Sequence, residues 1–428
     1  MKHLIILIIV SILFFSDQLP AQQDSNNVND KYSGSGLNDL INAAVRTNVR
    51  LEPIELKKKI LSSKIDQAGF QSSPRALFML DNLPVNFNNA GEYIFNFAQP
   101  LKLFGKTDAS EILARTNSLL PQIEKEELQN ELIRMVKENY FMLSVNERLL
   151  SFNTEFKEIM NSITGSMEIK YSSGNGNQYE ILKSNNEYQK LLLEEIELSG
   201  NKKLIINNLR NLTNLELPDN YSTKNLDILL KINPPDLDTA GLITEMRSNN
   251  TDYKYLEQKR EENKIELSIA ELDRKPDLNL TTGYKYKTEK QESYLLFGIG
   301  IDLSFMPWNE KRIDAIVEEK ILTEKRINSS VKSLDVNLRT ELKNTLIRIN
   351  SSLEKIKYLR EVLIPQTEQT FQSSLISYET ASNRFIDLLD TYRTLRENNQ
   401  MLIKEETNYL ILISGLEKLI GKQILSIN

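Results

Sequence analysis

Apolar and polar positions alternate with period two in a few short stretches of the chain and follow a helical period nearly everywhere else. Between Pro276 and Pro307, Leu278, Leu280, Thr282, Tyr284 and Tyr286 form one largely apolar and aromatic face, and Asp277, Asn279, Thr281, Gly283, Lys285 and Lys287 fill the other. Leu295, Phe297, Ile299, Ile301, Leu303 and Phe305 repeat the pattern against Gly298, Gly300, Asp302 and Ser304. The alternation predicts two strands of about 10 residues, the length a tilted strand needs to cross a bilayer, joined by a polar loop from Thr288 to Ser293. From Trp308 to Ile364 there is neither Gly nor Pro. That run predicts a helix of about 57 residues, or roughly 85 Å.

The remaining elements follow in order. Leu37 to Thr47 and Glu52 to Gln71 predict two helices, with Pro53 at a helix start and Leu56, Ile60, Ile65 and Phe70 on one face. Ala76 to Leu80, apolar throughout, and the alternating Tyr93, Phe95 and Phe97 predict strands on either side of an Asn-, Pro- and Gly-bearing loop, Asp81 to Glu92. After Pro100, Phe104-Gly105-Lys106 marks a strand-to-helix junction. Helical pattern continues to about Thr164, interrupted only at Pro121. A turn over Ser172 to Asn177 leads into a helix from Gln178 to about Leu212, which predicts an antiparallel helical hairpin. A proline-marked linker, Leu215 to Pro235, has room for one short element. Helices over Asp238 to Arg247 and Thr251 to Leu272 precede the opening strands, Pro365 ends or kinks the long helix, and a final helix runs from about Gln366 to Ile413, before Gly415.

Helix, helix, strand, strand, long helix, long helix thus occurs twice, at an offset of roughly 200 residues. Phe95-Asn-Phe-Ala-Gln-Pro-Leu-Lys-Leu-Phe104 lies against Phe297-Gly-Ile-Gly-Ile-Asp-Leu-Ser-Phe-Met306, and Tyr171 to Leu182 against Tyr378 to Leu389. Tandem duplication is the simplest account. It divides the chain into a first repeat over 37–214, with strands near 75–99, a linking segment over 215–236, a second repeat over 237–421, with strands near 277–305, and a tail over 422–428.

Charge and chemistry narrow the function. The formal net charge is −6, and there is no basic block of the kind nucleic acid requires. Cysteine is absent, which excludes disulfides and thiolate chemistry. The one histidine, His3, falls in what reads as a secretory signal over 1–21: Lys2 and His3, an apolar run from Leu4 to Phe15, then Leu19-Pro20-Ala21. Residues 22–36 read as a flexible start. With no Walker A pattern, no Gly-x-Ser-x-Gly and no histidine-based dyad, the expectation is that the protein is not an enzyme, and that it carries neither cofactor nor resident metal. Glu194 with Glu195, and Glu318 with Glu319, read as solvated helix faces.

Four strands cannot close a barrel, and an open sheet in lipid leaves unpaired backbone groups at several kcal/mol each. The chain must associate. Copies contributing four strands give a dimer of eight or a trimer of twelve, and about twelve begin to leave a lumen. The helices would extend that wall into water as a ring of antiparallel hairpins. Two other readings share the same elements: a soluble coiled-coil protein with amphipathic hairpins packed on its helices, and a periplasmic coiled-coil adaptor or scaffold. An adaptor predicts one hairpin flanked by β-rich domains.

The duplicated order, the Gln99-Pro100-Leu101 strand end before a long helix, and the run Tyr378, Glu379 to Arg384, Ile386-Asp387-Leu388-Leu389-Asp390, Thr394-Leu395 resemble the TolC-type outer-membrane efflux proteins, over nearly all of the chain after the signal. The resemblance implies a mainly α protein with transmembrane β: a homotrimer with a 12-stranded barrel in outer-membrane lipid and a helical tunnel in the periplasm of a Gram-negative cell. It implies partnership with an inner-membrane pump and a periplasmic adaptor. Leu103-Phe-Gly-Lys106 and Asp81-Asn-Leu-Pro84 are similar to the family's metal-cation branch.

The resemblance further implies a periplasmic aperture ringed by Asp387 and Asp390, a latch of Tyr378, Arg384 and Glu180, and an adaptor-contact turn at Gly174, Ala381 and Ser382. Residues at i and i+3 share one helix face, so three copies would stack carboxylates around a narrow axis and favour cations there. The same aspartates also suit the first turn of a helix capped by Ser382 or Asn383. Asn383 stands where the family has its arginine, with Arg384 one residue later, and Ala381 stands where it has its turn glycine.

Overall fold

A computed structural model describes residues 36–83, 85, 90–223, 238–303, 306–380 and 384–424. The signal over 1–21, nearly all of the flexible start, 224–236 of the linking segment with its expected short element, Ala381, Ser382 and the last residues of the tail lie outside the described residues.

Four strands, β1 (Arg75–Asp81), β2 (Glu92–Leu101), β3 (Leu278–Lys287) and β4 (Glu292–Ile301), form one antiparallel sheet in the order β1-β2-β3-β4. The two hairpins are joined by the β2–β3 ladder, so each repeat contributes half of one continuous sheet. The register places Phe78, Phe95, Tyr284 and Leu295 in a single row across all four strands. None of the described residues covers this face: Phe78 is 62% exposed, Leu295 72%, Phe297 82% and Ile299 73%. The opposite face is mixed, with Asn96, Gly283, Gly298 and Lys285 beside the apolar Leu77, Met79, Ile94 and Leu296. Lys285 and Lys287 both pair with Glu92 there, and Gly283 brings β3 close to β2, because a Cβ at this position would sit 2.8 Å from the Phe95 carbonyl oxygen and against Asn96 Oδ1.

The second strand stops at Ile301, short of the expected Phe305. Asp302 donates its N–H to the Asp277 carbonyl at 2.8 Å, and the chain then turns so that Met306 N–H reaches the Leu303 carbonyl at 3.2 Å. Alternation outruns the ladder because Leu303 belongs to the turn. At the foot of the sheet, Lys106 donates from Nζ to Asp277 Oδ2 at 2.9 Å and to the Lys275 carbonyl at 2.8 Å, tying the Leu103-to-Lys106 junction of one repeat to the strand start of the other.

The helices are α1 (Leu37–Thr47), α2 (Glu52–Ala68), α3 (Lys106–Asn117), α4 (Leu120–Ser172), α5 (Gln178–Thr213), α6 (Thr239–Asn249), α7 (Thr251–Leu272), α8 (Pro307–Tyr358), α9 (Ile364–Glu379) and α10 (Phe385–Ile420). Pro121 sits in the first turn of α4, where its missing N–H costs nothing. Gly165 does not end that helix near Thr164 as expected. A mid-helix glycine costs only about 1 kcal/mol, and continuation buries Met167. The expected final helix is divided into α9 and α10, and Gly415 lies inside α10, which ends instead at Gly421 with φ +71. Pro365 is accommodated by a π-turn, Leu359–Leu363, that absorbs its lost hydrogen bond. No described helix is long and apolar enough to cross a membrane.

The duplication is visible in hydrogen bonds. Asn48, between α1 and α2, accepts from Arg50 N–H at 3.0 Å and donates to the Leu212 carbonyl at 2.8 Å near the end of α5. Asn250, between α6 and α7, accepts from Asp252 N–H at 2.9 Å and donates to the Leu419 carbonyl at 3.0 Å near the end of α10. The main core gathers around these points, where Leu40, Phe141, Leu209, Met246, Leu342 and Ile413 pack together from both repeats. Within it Lys137 and Glu417 form a buried ion pair at 2.6 Å. Farther along, Arg148 of α4 and Arg360 of the π-turn both bind the Glu406 carboxylate, at 2.6 and 2.5 Å. The arrangement expected of an adaptor, one hairpin between β-rich domains, is not the one observed.

Candidate functional site

The helical hairpins end together in a tip with its own apolar cluster, built from Phe156, Met160, Leu191, Phe371, Tyr378, Phe385 and Tyr392 among others. Tyr392 donates its hydroxyl to the Phe156 carbonyl at 2.9 Å, fixing α10 against α4 inside this cluster. The first-repeat turn requires Gly174, at φ +80, whose N–H reaches the Tyr171 carbonyl at 3.0 Å while Asn175 N–H reaches that of Lys170 at 2.9 Å. Asn177 then caps α5 through Tyr179 N–H at 3.0 Å.

Tyr378, in the last turn of α9, donates its hydroxyl to Glu180 Oε2 in the first turn of α5 at 3.0 Å. The structure therefore brings together these two members of the sequence-derived latch. Burial, reinforced by the Glu180 carboxylate, pushes the Tyr378 hydroxyl far above the usual tyrosine range, so it remains the donor. Arg384 is turned to Asp387, with Nε to Oδ2 at 3.2 Å and Nη2 to Oδ1 at 3.3 Å. Asp387 and Asp390 both lie in the opening turns of α10, Asp387 partly exposed and Asp390 exposed. Asp390 has no side-chain partner among the described residues.

Sequence reasoning missed three features of this end. Beside Asp387, α9 presents Gln366, Gln369, Thr370, Ser373 and Ser377 at helical spacing, lining a polar groove of about 680 Å³. Its signal was legible as a hydroxyl- and amide-rich stripe. Second, ion pairs join the hairpins: Glu187 of α5 to Arg393 of α10, and Glu194 of α5 to Arg396. Burial opposes ionisation of Glu187, but bonds from Arg393 and Lys190 outweigh it and hold the carboxyl below its usual range. Third, Lys170 donates from Nζ to the Tyr378 carbonyl at 2.6 Å. Among the described residues no cluster of acidic or histidine side chains is arranged to hold a metal ion.

A four-stranded sheet with an exposed apolar face, continued by long helices whose far ends share an apolar cluster, is the fold of the TolC-type outer-membrane efflux channels. Two solved structures share it over almost the whole chain. CusC, described for its transmembrane channel formation, superposes with a TM-score of 0.76 at 16% identity, covering 94% of this chain and 99% of that one. The outer-membrane channel OprN gives a TM-score of 0.76 at 15% identity, over 90% of this chain and 89% of that one. A curated relative, the cobalt-zinc-cadmium resistance protein CzcC of Cupriavidus metallidurans, is 24% identical over 143 residues. That match spans 31% of this chain and about a third of the relative's length. No protein-family model matches the sequence.

Proposed function

We propose that this protein is the outer-membrane channel of a tripartite efflux system, a passive export duct that receives its cargo from an inner-membrane pump through a periplasmic adaptor. The observation that carries this reading is the sheet: four strands with two open edges, one face apolar and exposed, the other bearing glycines and the polar Glu92, Asn96, Lys285 and Lys287 among its residues. In lipid such edges must be paired by further copies. Three copies make twelve strands, enough for a lumen lined by the face that carries Gly283, Gly298 and Lys285. The exposed apolar residues Leu56 and Ile60 of α2, and Leu193 and Ile196 of α5, supply further surface for the neighbouring copy.

The barrel sits in the outer membrane of a Gram-negative cell and the helices reach into the periplasm, where the tip is the entrance. Asp387 and Asp390 ring that entrance and attract cations, Tyr378 and Glu180 hold it shut with Arg384 beside them, and the turn at Gly174 and at Ala381 and Ser382 meets the adaptor. No catalytic group is required, because the pump supplies the work. The match to the cobalt-zinc-cadmium resistance protein CzcC favours metal cations as cargo over larger organic molecules. A duct need not chelate what passes through it.

Purified protein added to a planar lipid bilayer should produce discrete conductance steps. An electrically silent preparation, or a protein recovered in the soluble periplasmic fraction, would overturn the reading.

A further inference from the structure

Tyr378 is gripped from both arms of the first-repeat hairpin, and one grip comes from a residue that no sequence pattern singled out. Lys170, in the last turn of α4, places Nζ 2.6 Å from the main-chain carbonyl oxygen of Tyr378 and 4.1 Å from the centroid of its ring. That carbonyl lies in the last turn of α9, where the helix end carries partial negative charge. One ammonium therefore meets a helix-end carbonyl, a helix dipole and an aromatic face together. On the other arm, the phenol hydroxyl of the same residue reaches Glu180.

We propose that Lys170 is the positioning residue that holds the end of α9 against the first-repeat hairpin and so keeps the duct entrance closed, while Arg384 serves Asp387. The inference rests on the channel reading above. Its contacts cross between hairpins, from residue 170 to residue 378, so any movement of α9 away from α4 breaks all of them at once. Above α9 the π-turn is fixed through Arg360 to the buried Glu406, and below it Phe371 and Tyr378 pack into the tip cluster, so the Lys170 contacts bear on the end of α9 farthest from that anchor.

The test is the open-to-closed ratio of single channels in planar bilayers for the full-length wild type, Lys170→Met, Lys170→Arg and Tyr378→Phe, with thermal melting of each trimer recorded alongside. Lys170→Met keeps the length of the side chain and removes its charge. It should raise the ratio by about tenfold, the factor corresponding to one charge-assisted contact of ~1.4 kcal/mol. Lys170→Arg should stay near wild type, because a guanidinium can also donate to the carbonyl and lie on the ring. Three outcomes overturn the proposal while leaving the channel reading standing: Tyr378→Phe opens but Lys170→Met does not; Lys170→Met and Lys170→Arg open equally; or Lys170→Met lowers the melting temperature without changing the ratio. Silence from every variant and the wild type would overturn both.

Discussion

Arg384 and Asp387 are bonded to each other across the first turn of α10 by two contacts of 3.2 and 3.3 Å, while Asp390, one turn on, faces solvent without such a partner among the described residues. The two aspartates are therefore unequal. An exposed pair of this kind contributes at most about 1 kcal/mol, yet it places a positive charge beside one carboxylate and none beside the other. Asp390→Asn should reduce cation-over-anion permeability about twofold more than Asp387→Asn, and Arg384→Ala should raise it, each read from reversal potentials in a salt gradient. Equal effects of the two aspartate changes would show that Arg384 does not discriminate between them.

The buried pair of Lys137 and Glu417 ties α4 to α10 within the main core. Removing either partner strands a charge in an apolar setting. Lys137→Met or Glu417→Leu alone should cost about 3–5 kcal/mol, whereas the double replacement should cost much less than either. Urea denaturation of the four proteins in one detergent closes the cycle. The residual cost of the double variant reflects the bond that Glu417 also accepts from Ile424 N–H at 2.8 Å.

Glu131 gives the tunnel a sensitivity to acid. Arg134 at 2.8 Å lowers its carboxyl pKa, burial opposes this, and Lys418 at 2.6 Å adds to the lowering, leaving a value of about 2 against an ordinary 4.5. The folded pKa lies below the unfolded one, so the contribution is complete above the unfolded value and disappears as pH falls through the folded value. With solvent screening it amounts to about 1 kcal/mol. Thermal melting between neutral pH and pH ~2.5 should fall less steeply for Glu131→Gln than for wild type. Parallel curves would exclude this carboxylate as a source of the acid response.

At Gly283 the second hairpin lies tightly against the first. Gly283→Val would drive a side chain into Asn96 and the Phe95 carbonyl, costing the β2–β3 ladder more than the 1–3 kcal/mol typical of overpacking (~2 kcal/mol as a central figure). The expected result is loss of heat-resistant oligomer on semi-native gels. Gly298→Ala, whose nearest neighbour is Thr281 Cβ at 3.7 Å, should be tolerated.

Local signals carried much of this architecture into the sequence. Leu37–Thr47 and Thr251–Leu272 fall where the sequence pattern put them, the second starting from the Asn250 cap. Three of the four strands were legible through a period of two that no helix sustains, and β1 (Arg75–Asp81) as a short apolar run. What failed was whatever depends on a distant neighbour. Gly165 stays helical because Met167 has a core to enter, and Gly415 because α10 is packed along its length. The π-turn is invisible in sequence: Pro365 announces a disturbance but not how the backbone resolves it. At the tip, Asp387, Asp390, Tyr378 and Glu180 came from the resemblance to a family rather than from spacing. Lys170 came from neither, since its partner lies 208 positions away.

The β2–β3 ladder has a consequence for how such a protein is made. Phe95 and Tyr284 sit side by side in the sheet yet are roughly 190 positions apart in the chain, and contacts of that separation form late. The first hairpin leaves the translocation machinery long before its partner exists, with its apolar face bare and β2 an unpaired edge. Until the second repeat follows, it must be kept from pairing with the wrong chain. Biogenesis of this channel is therefore a problem of timing as much as of stability. A holding factor that recognises an orphan amphipathic hairpin would act in the interval between the two halves.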